Sequence, residues 1–207
     1  MKRLAAVLAV FVVLPVAAQD VVEGPAPWEF SITAYGNSVR NGDSYASGIA
    51  MADKGPLHLE GRANYEAIHA QSLFAGWNFS WGDEEDWKFD LTPIAGAVRG
   101  SLRGGIAGFE ATVAHGRFDF YTEVERVFDR RVSEDSYTYA WSEFGYRVTE
   151  NLRLGIVGQR TKIYGGSRQY QGGGLVQAGL GPATFAIYWF NPGSSDQVVI
   201  GSIGLAF

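Results

Sequence analysis

Leu57-His58-Leu59-Glu60-Gly61-Arg62-Ala63-Asn64-Tyr65-Glu66 separates into two faces when every second residue is taken. Leu57, Leu59, Gly61, Ala63 and Tyr65 fall on one face, and His58, Glu60, Arg62, Asn64 and Glu66 on the other. A period of two belongs to an extended strand, whose successive side chains point to opposite sides, and not to a helix. The stretch from Arg117 to Phe128 repeats the pattern: Phe118, Phe120, Thr122, Val124 and Phe128 stand against Asp119, Tyr121, Glu123 and Glu125. One face of each strand meets an apolar medium and the other a polar one.

Working outward from these two, strand-and-turn spacing predicts about twelve strands, within a range of roughly 10–12. They run Trp28 to Arg40, Ser44 to Ala52, Leu57 to Glu66, Ala70 to Trp81, Trp87 to Val98 and Gly105 to Ala114. Arg117 to Phe128, Ser136 to Val148, Leu152 to Ile163, Gln169 to Leu180, Ala183 to Phe190 and Gln197 to Phe207 complete the set. Gly, Pro, Asn, Asp and Ser between them mark turns. The 27 glycines and 14% aromatic content fit the same all-β reading. The chain has no cysteine, so disulfide scaffolds are excluded.

Lys2 and Arg3, an uncharged run from Leu4 to Val16 and the small residues Ala17-Ala18 have the layout of a secretory signal peptide. The domain reading is therefore 1–18 signal peptide, 19–27 a short N-terminal segment and 28–207 one β-barrel. Losing Lys2 and Arg3 with no acidic residue moves the formal charge from −5 to −7, which gives no basic footprint for nucleic acid. No later run reaches the roughly 20 apolar residues of a membrane-spanning helix.

Alternation alone fits a soluble barrel as well as a membrane barrel, and the chain end separates them. Val199, Gly201, Ile203, Leu205 and Phe207 share one face of the last strand, a pattern that resembles the C-terminal signal by which outer-membrane barrels are handed to their assembly machinery. Trp28, Trp77, Trp81, Trp87, Phe118 and Trp189 fall near predicted strand ends, where interfacial aromatic girdles sit. The expectation is a closed antiparallel transmembrane barrel in the bacterial outer membrane, with lipid and the assembly machinery as partners and Phe207, Leu205 and Ile203 as the assembly signal. An even strand count places both termini on the periplasmic side. The connections are short, and none is expected to fold inward as a plug.

Several segments resemble a family of exported outer-membrane barrels with no assigned activity. They are Leu57-His58-Leu59-Glu60 with Asn64-Tyr65-Glu66, Thr92-Pro93-Ile94, Tyr139-Ala140-Trp141-Ser142-Glu143, Gly158-Gln159-Arg160-Thr161 and Asn191-Pro192. The resemblance implies the fold and adds no reaction, substrate or cofactor.

Turning the polar faces inward gathers His58, Glu60, Arg62, Asn64, Glu66, Glu110, Asp119, Glu123, Glu125, Glu143, Arg147, Gln159 and Gln177 in one lumen. Two readings follow. Glu60, Glu123 and Glu143 form a rigidifying network with Arg62 and Arg147, or the same carboxylates line a pathway that favours cations. Strict alternation turns Arg126 and Arg160 outward near the outer ends of their strands, where a guanidinium can reach lipid headgroup phosphates, unless a bulge turns them in. No catalytic set is read: His58, His69 and His115 are scattered and lack a partnering serine. Three scattered histidines and the run Asp83-Glu84-Glu85-Asp86 give no metal-site spacing, and no cofactor is implied. The function classes that remain are a small passive pore for cationic or neutral solutes, a non-conducting structural or interaction barrel, and, last, a lipid-modifying enzyme. The sequence assigns no oligomeric state.

Overall fold

The computed structural model describes residues 26–83, 86–163 and 168–207. The expected signal peptide, 1–18, lies outside the described residues, as do 19–25 of the N-terminal segment and Glu84 and Glu85 of the acidic run.

Thirteen strand segments follow one another: β1 (Glu29–Val39), β2 (Tyr45–Lys54), β3 (Leu57–Ala63), β4 (Ala70–Trp77), β5 (Phe79–Gly82), β6 (Trp87–Gly100) and β7 (Gly104–His115). Then come β8 (Phe118–Asp129), β9 (Tyr137–Thr149), β10 (Leu152–Ile163), β11 (Arg168–Leu180), β12 (Ala183–Phe190) and β13 (Val198–Ala206). Each pairs antiparallel with its neighbours in sequence, except that β4 and β5 do not pair with each other. β1 pairs with β13, and β4 with β6, so the sheet closes on itself.

β4 and β5 are two parts of one barrel strand, both paired to β6. Gly76 opposes Ile94 and Phe79 opposes Leu91, so the register is unchanged across the gap and sets Trp77 opposite Pro93. Proline has no N–H to give the ladder, which explains the interruption. The barrel therefore has 12 strands. A closed sheet leaves no unpaired edge, and every backbone group in an apolar medium finds a partner between strands.

The seam is completed by the last residue. Phe207 N–H donates to Phe30 O, and Phe30 N–H donates to Phe207 O, both at 2.9 Å. Their rings stack at 5.9 Å, with Trp28 on the far side of Phe30.

Outward side chains form the exposed apolar band, with Leu73, Ile156, Leu180, Ile187 and Ile203 among its most exposed members. Aromatic side chains crowd the end that carries Trp28 and Phe207. Trp81, Trp87 and Phe89 stack there with His115 at the edge, and Phe118 packs on Phe144 and Tyr146. Trp189, Phe128 and Tyr170 sit toward the opposite, distal end.

The interior is not uniformly charged. Ala70, Phe74, Ile94, Val98, Ile106 and Val127 make one buried apolar cluster, and Val157, Leu175, Phe190 and Ile200 make another. Inward side chains must fill a small barrel, and apolar groups fill it without needing partners.

Candidate functional site: the barrel lumen

The lumen is organised around two arginines with no exposed side-chain surface, on opposite sides of the barrel. Arg62 comes from β3. Its Nε donates to Glu60 Oε1 at 2.6 Å and its Nη2 to Glu60 Oε2 at 3.0 Å, a two-pronged pair that suits the planar guanidinium. Its Nη1 donates to Glu123 Oε1 at 2.9 Å and Glu125 Oε1 at 2.8 Å, both on β8. Glu66 and Glu110 stand 3.6 Å away. The guanidinium also lies 4.7 Å from the Tyr65 ring centroid and 4.5 Å from that of Phe74.

Arg153 of β10 holds the second network. It pairs with Asp119 of β8 at 2.5 Å and Glu143 of β9 at 2.7 Å, and its Nη1 donates to Gln177 Oε1 at 3.3 Å. Trp141 Nε1 donates to the other oxygen of Glu143 at 3.0 Å. A glycine makes this room: a Cβ on inward-facing Gly145 would overlap the Arg153 guanidinium.

Arg147 was the cation expected beside Glu143, and Arg153 occupies that place. Arg147 is half-buried near the end of β9, and its Nε has no hydrogen-bond partner. The signal for Arg153 was present in sequence, because it shares parity with Gln159 on the same strand. The other expected lumen residues His58, Glu60, Glu110, Glu123, Glu125 and Gln177 are buried on inward faces. Gln159, half-buried, accepts from Tyr139 Oη at 3.3 Å and donates to Gln171. Asn64 lies just past the end of β3 with φ of 55°, donating to Ala46 O and accepting from His69 N–H.

That left-handed residue turns the chain inward. Tyr65 Oη donates to Glu123 Oε2 at 3.1 Å, its ring meets Tyr35 of β1 at 6.3 Å, and Ser72 Oγ donates to Glu66 Oε2 at 2.5 Å. So the connection 64–69 reaches into the lumen despite its shortness, although no connection is expected to fold inward as a plug, and lumen contents come from a connection as well as from strands.

His58 Nδ1 lies 2.8 Å from Asp53 Oδ1, which also accepts from Asn78 Nδ2 at 2.8 Å, while His58 Nε2 has no hydrogen-bond partner. His69 and His115 are exposed. On the outer surface, Arg126 donates to Thr138 Oγ1 at 2.9 Å and lies over Phe128, and exposed Arg160 lies over Tyr170. In the loop 191–197, Ser194 Oγ and Asn191 Nδ2 donate to Asp196 at 2.6 and 2.9 Å and hold its carboxyl below the ordinary value.

One cavity of about 1150 Å³ occupies the barrel, lined from Phe30, Pro182 and Phe207 at the terminal end to Val39, Tyr45 and Ile163 at the distal end. Its acidic lining includes Glu66, Glu110, Glu123, Glu125 and Glu143, and no Lys or Arg is among the described residues that line it. The arginines sit behind the carboxylates. The same lining carries neutral donors and acceptors: Tyr35, Asn37, Gln159, Gln171, Gln177 and Tyr188.

A closed 12-strand antiparallel barrel with a polar lumen and an apolar outer belt has the architecture of the outer-membrane porins. Among solved structures the chain is similar to the KdgM porin, with TM-score 0.58 and 10% identity over 86% of this chain and 98% of that one. It is equally similar to the KdgM porin in complex with disordered oligogalacturonate, with TM-score 0.59 and 9% identity over the same shares. No protein-family model and no curated protein matches the chain.

Proposed function

We propose that this barrel is a small passive pore of the bacterial outer membrane that admits small cationic or neutral solutes. The observation that carries the reading is a cavity of about 1150 Å³ with lining residues at both ends of the barrel. Its acidic wall attracts cations and repels anions. The porin fold supports the location and the pore. The solute of the KdgM complex does not transfer, because an oligogalacturonate is a polyanion and the wall here carries carboxylates.

In this reading the termini face the periplasm. Arg126 and Arg160, on the outward face toward the distal end, meet lipid headgroup phosphates there. Phe207, Leu205 and Ile203 serve as the segment recognised during assembly.

A non-conducting structural barrel is the second reading. It is favoured by the two fully buried arginine networks and the inward connection 64–69, all of which narrow the lumen. Single-channel recording on the refolded protein in a planar bilayer separates the two. Discrete steps establish the pore. A silent bilayer, with folding verified by a heat-modifiable gel shift, removes it in favour of the structural barrel.

A further inference from the structure

Around Arg62 stand five carboxylates: Glu60, Glu66, Glu110, Glu123 and Glu125. One guanidinium cannot balance them. Glu110 and Glu123 are also direct cross-strand partners on β7 and β8, an arrangement in which like charges repel. Glu66 Oε1 and Glu110 Oε1 both stand 3.6 Å from Arg62 without a hydrogen bond, and Ser72 holds the other oxygen of Glu66. The Glu110 side chain is only 8% exposed and lines the cavity. A buried carboxyl in this position needs either a proton or a further cation, and a cation entering the cavity supplies the second.

The surroundings select its kind. No group of three or more Asp, Glu or His among the described residues converges as a metal ion requires. The acids are instead interleaved with aromatic rings. Trp141 is the cross-strand partner of Glu123 and donates to Glu143, while Tyr35 and Tyr65 meet at a tilt of 60°, with Tyr65 donating to Glu123. Rings next to carboxylates suit a cation with diffuse charge and an apolar body. The protein already holds one such group in this way, since Arg62 lies against Tyr65 and Phe74 within its ring of acids.

We propose that the lumen contains a binding site for a small organic cation, a guanidinium or primary ammonium compound, between Glu110, Glu123 and Glu143 and the rings of Tyr35, Tyr65 and Trp141. The site names the solute class of the pore and rests on that reading for access from solution.

The test uses the full refolded barrel in detergent micelles, titrated by calorimetry with butylguanidinium chloride and with butylurea, its uncharged counterpart. Saturable binding of butylguanidinium, with butylurea at least about tenfold weaker, is expected, as is a loss of about tenfold in Glu110→Gln, which removes the carboxylate charge. Equal affinity for the two probes, or unchanged affinity in folded Glu110→Gln, overturns the site. Bilayer recording with the same probes keeps the two readings apart. Binding in micelles with a silent bilayer refutes the pore and leaves the site; potassium current with neither binding nor block refutes the site and leaves the pore.

Discussion

Arg153 has no contact with solvent, and its guanidinium is shared between two carboxylates and an amide on three other strands. Replacing it with Met leaves Asp119 and Glu143 buried without their cation, a change that costs about 3–5 kcal/mol. Urea unfolding of the refolded barrel measures it. Arg147→Ala, which removes no ion pair seen here, should cost less than about 1 kcal/mol, and a loss as large as that of Arg153→Met would contradict the assignment of the network to Arg153. The Asp196 carboxyl is held below its ordinary value of 3.8 by the Ser194 and Asn191 donors. The loop contacts it makes are therefore fully present above that value and are lost as pH falls through the lower folded value. Protection of residues 191–197 against hydrogen exchange, referenced to the intrinsic rate at each pH, should fall below about pH 4 in the wild type and show no such step in Asp196→Asn.

At the scale of elements, most strands were legible because alternation is a local property. The predicted and observed limits of Leu152–Ile163 and Ala183–Phe190 coincide. Two departures have local causes that periodicity does not carry. The strand from Leu57 ends at Ala63 and not at Glu66, because Asn64 takes a left-handed conformation and redirects the chain. The strand from Ala70 is interrupted after Trp77 because the residue opposite it is a proline, a fact of pairing and not of the strand itself. The lumen networks were less legible: which residues face inward follows from parity, but which arginine reaches Glu143 depends on the room left by Gly145 on the neighbouring strand. Tyr65→Ala removes a ring that spans toward β1, so single-channel conductance should rise; an unchanged conductance would place the narrowest point elsewhere.

For the whole molecule, the lining is acidic along β7, β8 and β9, with Glu29 and Asp53 added from β1 and β2, and carries no described Lys or Arg. A salt gradient across the bilayer should therefore give a reversal potential of the sign for cation selectivity, and the double variant Glu123→Gln, Glu143→Gln should move it toward zero. A potential unaffected by that change would show that these carboxylates do not face the permeating ions.

The seam between β1 and β13 has a consequence for how the molecule is made. Phe30 and Phe207 exchange the hydrogen bonds that close the wall, yet they lie at opposite ends of the described sequence. No hairpin formed earlier can substitute for that contact, so through most of folding β1 presents an open row of donors and acceptors. Closure is a long-range, slow event. A chain of this design depends on being kept from its own copies until the last strand arrives, and its hazard during biogenesis is edge-to-edge association of unfinished sheets.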